Sequence, residues 1–131
     1  YDLDMAEMSH HENISLLAYS PLAGGFLTGK YMNENVPKNS RLSRVPSLFG
    51  RINDNSSLAV YEYVSLAKKY QIDPVHMAIA FCNQRPFMGS VIFGATTNHQ
   101  LSHILNGLDI TLSSELLTAL NTVNRKNPMP I

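Results

Sequence analysis

Two short apolar runs, Ile14–Tyr19 and Gly89–Phe93, are the stretches of this chain that read as strands, and the rest reads as helix or loop. Both are short and dominated by branched or aromatic residues. That is the style of strands buried on both faces in a parallel sheet. Ser20-Pro21 ends the first run, because proline has no N–H to give a ladder. Strands that alternate with helices predict an α/β fold with a parallel sheet. Two parallel strands neither close a sheet nor cover its edges. The predicted unit is therefore a piece of a larger α/β domain, and its sheet faces would stand open to water.

Helical patterns fill much of the remainder. Asp2 to Glu12 reads as the later turns of a helix, with Met5, Ala6 and Met8 on one side, and the first residue is Tyr1, so a preceding segment is expected. Leu58, Tyr61, Val64, Leu66 and Ala67 give an apolar stripe over 57–70. Asp73-Pro74 marks another helix start, since aspartate caps free N–H groups and proline suits the first turn. That helix stops before Pro86. A further helix opens after Gly94-Ala95-Thr96-Thr97 and runs to about Asn106. The last covers Ser113 to Arg125, with Glu115 early and basic residues late, as the helix dipole favours. The tail from Asn127 to Ile131 reads as extended. Between Ser20 and Ser56 there is no convincing periodicity, and a loop of that length is usually functional or disordered.

Bulk properties exclude several function classes. The chain has 131 residues with 10 basic and 10 acidic side chains, so it lacks the basic excess that a general nucleic-acid grip needs. No apolar run approaches a membrane span, and no secretory pattern opens the sequence. Cys82 is the single cysteine, which rules out an internal disulfide and suits a reducing, cytoplasmic setting. His10 and His11 are adjacent and so point in different directions on a helix, His76, His99 and His103 are scattered, and no metal site is expected from them.

Chemistry concentrates where the two strands end. Leu16 to Tyr31 delivers an aromatic ring (Tyr19), a hydroxyl (Ser20) and then a glycine-rich loop ending in Lys30. In parallel α/β folds the C-terminal strand end is where ligands sit. Gly24 to Lys30 also matches the spacing of a nucleotide P-loop. That motif needs Ser or Thr next, to hold magnesium, and a helix; here Tyr31, Asn33 and Pro37 follow instead. Ser90 to Leu101 ends a strand in a tight turn that opens a helix, whose free N–H groups and dipole favour an anion.

Together the two segments are distinctive. Y-S-P-L-x-x-G-x-L-T-G-K-Y, from Tyr19 to Tyr31, is followed downstream by I-x-G-A-T-x-x-x-Q-L, from Ile92 to Leu101. This pairing resembles the seventh and eighth strands of the aldo-keto reductases, in the flavour of Tas-like reductases and potassium-channel β-subunits. The resemblance runs over essentially the whole chain. It implies the C-terminal part of a (β/α)8 TIM barrel, residues 1–131 forming one portion of a single domain, with NADP(H) as cofactor and a small carbonyl compound as substrate. Tyr19 falls where a ring stacks on the nicotinamide. Ser20, Pro21, Leu22, Ala23 and Gly24 fall on the loop wrapping pyrophosphate and ribose, and Lys30 on a phosphate contact. Arg41 aligns with a basic residue that touches the cofactor in channel β-subunits. Gly94, Thr96 and Gln100 fall on the site for the adenosine 2′-phosphate and adenine.

The chain also departs from the family. Q-L-x-E-N becomes Gln100-Leu101-Ser102-His103-Ile104, so the Glu and Asn that help hold the adenosine end are replaced, and His103 offers a ring that could reach a phosphate instead. The family's Asp, Tyr, Lys and His tetrad lies on earlier strands, so no catalytic residue is assigned here and these residues alone are expected to be inactive and poorly stable. Two alternatives stay open: a non-catalytic NADP-binding regulatory subunit, or a truncated, inactive gene product. Oligomeric state and substrate are not legible.

Overall fold

Side-chain caps set where most of the helices begin. The computed structural model describes residues 1–2 and 4–130. Helix α1 (Met5–Glu12) is capped by Asp4, and the predicted start at Asp2 gives way to this later one. Strand β1 (Leu16–Tyr19) follows. Two 3-10 turns, Ala23–Thr28 and Met32–Glu34, and the single turns α2 (Arg41–Arg44) and α3 (Ser47–Gly50) fill the stretch that shows no periodicity. Helix α4 (Asp54–Lys69) starts earlier than its apolar stripe, because Asn53 and Ser56 form a reciprocal capping box. In α5 (Pro74–Asn83) Asp73 caps as its sequence predicts, accepting from the N–H groups of Val75 and His76. Strand β2 (Met88–Ile92), α6 (Asn98–Leu105) and α7 (Ser114–Lys126) complete the order, with Thr97 and Ser113 as caps of the two helices. Ile131 lies outside the described residues. Among them, no helix is long and apolar enough to cross a membrane.

The two strands pair in parallel, with Leu17 opposite Ser90, Ala18 opposite Val91 and Tyr19 opposite Ile92. Leu16 pairs with Met88, so Gly89 is the extra residue of a bulge. Only glycine fits there: a Cβ at residue 89 would lie 2.8 Å from the Ser15 Cβ. Because the register is parallel, both chains leave the sheet at the same end. The Ser20 N–H donates to the Ile92 carbonyl at 3.1 Å and ties the two exits together.

The strands are half-buried on one face only. Ala18 and Val91 turn inward, and Val91 and Phe93 pack against Val75, Ile79 and Ile104 of α5 and α6. The other face is open: Leu17 is 62 % exposed, Tyr19 73 % and Ile92 49 %. A two-stranded sheet with helices on one side covers only one face, so strands whose composition suits burial on both faces leave one open, as two strands alone are expected to do.

Two other clusters hold the helices. Ala67, Met77, Ala80, Leu112, Leu116 and Leu120 lock α4, α5 and α7 together, backed by an ion pair between Lys126 and Glu62. Phe26, Tyr31, Leu48 and Val60 fix the irregular stretch on α4. Leu116→Ala should lower the unfolding free energy by about 2–5 kcal/mol in urea denaturation, as cavity-forming substitutions do. Cys82 sits half-buried on α5, and desolvation raises its thiol pKa. Less thiolate is then present at pH 8 than for free cysteine, so iodoacetamide should modify it more slowly, with the difference disappearing in urea.

Candidate functional site at the strand ends

The end of β1 presents the sequence-predicted loop as a series of left-handed turns. Ser20, Ala23, Gly24 and Gly25 have φ of 57°, 50°, 69° and 93°. The Ser20 carbonyl accepts from Ala23 N–H at 2.8 Å, and Leu22 accepts from Gly25 at 2.8 Å. Leu22 turns inward onto the α5–α6 cluster and Ala23 onto the Phe26 cluster. Those two side chains anchor the loop, and its backbone is what it offers outward. Tyr19 stands before it with its ring largely exposed. An exposed large aromatic at a strand end is a surface for stacking.

Two cations flank the glycines. The Lys30 ammonium folds back on Gly25: a Cβ there would sit 2.8 Å from Nζ. It also lies 5.0 Å from the centre of the buried Tyr31 ring, a cation–π contact. Tyr31 accepts from the Leu42 N–H at 3.4 Å, so the same side chain fixes the turn that carries Arg41. Ser40 caps that turn, and the Arg41 stem passes Gly24, with Cδ 3.5 Å from where a Cβ would be. Among the described residues, neither Lys30 nor Arg41 forms an ion pair. Two cations with no ion-pair partner among the described residues, beside half-buried glycines, suit an anion.

The second constellation stands beside the first. Thr97 caps α6, accepting from the Gln100 N–H at 3.2 Å. Gln100 turns back over the helix start, where its Oε1 accepts from Thr96 N–H at 2.8 Å and from Thr96 Oγ1 at 2.9 Å. Gly94 has no steric need to be glycine: a Cβ there meets nothing within 4 Å, and its φ is ordinary. It leaves backbone open to close approach. The link between the two constellations is the backbone bond from Ser20 to Ile92.

Two features escaped the sequence reading. The turn Ser47–Gly50 is left-handed throughout, with φ of 51°, 48°, 62° and 80°, and it drives Leu48, 2 % exposed, beneath Gly24. No residue in it signals αL except Gly50. His76, His99 and His103 are not scattered in space. The Nε2 of His103 lies 3.3 Å from Asp73 Oδ1 and its ring packs on His76. The expectation of scatter failed because α5 and α6 pack side by side, which sequence separation hides.

The fold is an α/β unit with two parallel strands whose following loops open at one end, the end where parallel α/β folds place their ligands. The comparisons with known proteins make it specific. The model of the "Aldo/keto reductase family" matches residues 2–125, and the chain belongs to that family of NAD(P)-dependent oxidoreductases, whose members reduce small carbonyl substrates. It is 35 % identical over 130 residues to "Protein tas" of Escherichia coli, covering 99 % of this chain and 38 % of that protein. It is 32 % identical over 120 residues to a "Probable voltage-gated potassium channel subunit beta" of Oryza sativa, covering 88 % and 37 %. Its fold superposes on the glycerol dehydrogenase of Gluconobacter oxydans with a TM-score of 0.70 at 21 % identity, covering 96 % of this chain and 38 % of that one. The chain thus spans somewhat over a third of the length of these relatives.

Gly25→Ala should destabilise the protein by about 1–2 kcal/mol, the cost of a Cβ in the left-handed region. Thermal unfolding would register that loss, and the displaced Lys30 would show as altered amide shifts around Tyr31.

Proposed function

We propose that residues 1–131 are the cofactor-holding C-terminal part, about strands seven and eight with their helices, of a barrel enzyme that uses NADPH to reduce an aldehyde or ketone. The observation that carries this reading is the pair of strand ends lying side by side, with open backbone, two unpaired cations and an exposed ring converging there. The residues present fit such a cofactor. Gly94 leaves open space beside its backbone, where a Cβ would take up part of the room, and Lys30 and Arg41 offer charge for phosphates.

The bound cofactor supplies the hydride. Tyr19 offers a ring face for the nicotinamide, and holding that ring in place orients the transfer. The Ser20–Gly24 backbone, with Lys30 and Arg41, binds and neutralises the pyrophosphate end. Gly94, Thr96 and Gln100, at the start of α6, take the adenosine 2′-phosphate and adenine. The proton for the carbonyl oxygen comes from a tetrad on segments outside these residues, so the 131 residues alone do not turn over. A non-catalytic NADP-binding regulatory subunit is the second reading. What favours it is the similarity to a protein described as a channel β-subunit.

Fluorescence titration of the native-length protein with NADPH tests both. Lys30→Ala and Arg41→Ala should each weaken binding about tenfold, the scale of a lost charge-assisted hydrogen bond. Gly94→Ala should leave the melting temperature unchanged or slightly higher and yet weaken binding, because the folded protein has room for the methyl group and the cofactor would not. No NADPH binding by the native-length protein would sink the proposal. Binding without turnover of any aldehyde or ketone would move the assignment to the regulatory reading.

A further inference from the structure

Away from the strand ends, Asp73, His76 and His103 converge where α5 meets α6, and one donor atom from each lies within 4.8 Å of the others. Asp73 is fixed as the cap of α5, its Oδ1 accepting from Val75 N–H at 2.7 Å. His76 follows in the first turn, with Nε2 2.7 Å from the His103 carbonyl. A carbonyl can only accept, so Nε2 carries a proton, which leaves Nδ1 as the nitrogen available to a metal. Buried Gly107 packs against the Cδ2 side of that ring, away from Nδ1, where any Cβ would clash. His76 is thereby held in one tautomer and one orientation. The His103 ring lies 4.8 Å from it, tilted by 31°. His99, one helical turn earlier on α6, stacks parallel to His103 at 6.4 Å.

We propose that Asp73, His76 and His103 form a binding site for a divalent first-row transition ion, with Zn²⁺ as the reference case. Two imidazoles and one carboxylate suit zinc, nickel or copper. Magnesium and calcium demand oxygen donors. Zinc bonds of about 2.0–2.1 Å place tetrahedral ligand atoms about 3.3 Å apart. The 3.3 Å between His103 Nε2 and Asp73 Oδ1 already meets that spacing. The bond from His76 to a backbone carbonyl is the usual outer support of a metal-bound imidazole. All three side chains are half-buried, which leaves an entry path and a position for water. The site shares no residue with the proposed cofactor loops, so it stands or falls independently of them.

The test is isothermal titration of the native-length, chelator-stripped protein with zinc chloride, with magnesium chloride as control. One zinc ion per chain, with no response to magnesium, is expected. His76→Gln and His103→Gln should each weaken zinc binding at least tenfold and abolish the rise in melting temperature that zinc produces. Asp73→Asn keeps a capping oxygen and so preserves the fold, and it should weaken binding too. A double variant of the adjacent pair His10 and His11 should bind zinc like the parent. The proposal is overturned if zinc does not bind. It is equally overturned if binding survives both His76→Gln and His103→Gln or disappears with the His10 and His11 pair, leaving Asp73 and His103 an ion pair only.

Discussion

The parallel register of β1 and β2 is the constraint on which the rest depends. An antiparallel pair would send its two exits to opposite ends. Here Tyr19 opposes Ile92, the Ser20 N–H bonds to the Ile92 carbonyl, and the glycine loop and the start of α6 emerge as neighbours. The bulge at Gly89 sets that register, and the space beside Ser15 admits no side chain there. A backbone position with no chemistry of its own therefore decides which functional groups meet.

The irregular stretch after β1 is organised by packing rather than by hydrogen-bonded repeats. Phe26, Tyr31 and Leu48 insert into one cluster on α4 and hold the short turns between them. Tyr31 links three parts of it: its ring faces the Lys30 ammonium, its hydroxyl oxygen accepts from Leu42, and its side chain is buried. Lys30 and Arg41 are thus held by one aromatic residue. Strain is concentrated where function is proposed. The left-handed turn at Ser47–Gly50 is offset by the burial of Leu48 under Gly24.

Sequence patterns revealed what is local. Asp73-Pro74, the stripe along α4, both strands and the dipole-matched charges of α7 each have a signal within a few residues, and each lies within a few residues of its expected position. The capping box at Asn53 was missed because it precedes the first apolar residue of its stripe. The turns within 23–50 lack any period, since each is too short to show one. The exposure of Leu17 and Tyr19 follows from the count of strands rather than from their composition, which tells that a residue suits a core and not whether a partner covers it. The convergence of Asp73, His76 and His103 depends on how two helices pack, and no spacing in the sequence encodes it.

The sheet has a consequence for the order in which the molecule assembles. β1 and β2 meet across most of the chain, whereas the α4–α5 hairpin closes a short loop between Lys69 and Pro74. Loop-closure entropy favours near contacts over distant ones, and parallel pairing is intrinsically slow. The helical cluster around Ala67 and Leu116 is therefore the early scaffold, and strand pairing is the late event. The end of the sheet that carries both loops is completed by a pairing of far greater sequence separation than the α4–α5 contacts, so a destabilised scaffold would lose that end before it lost its helices.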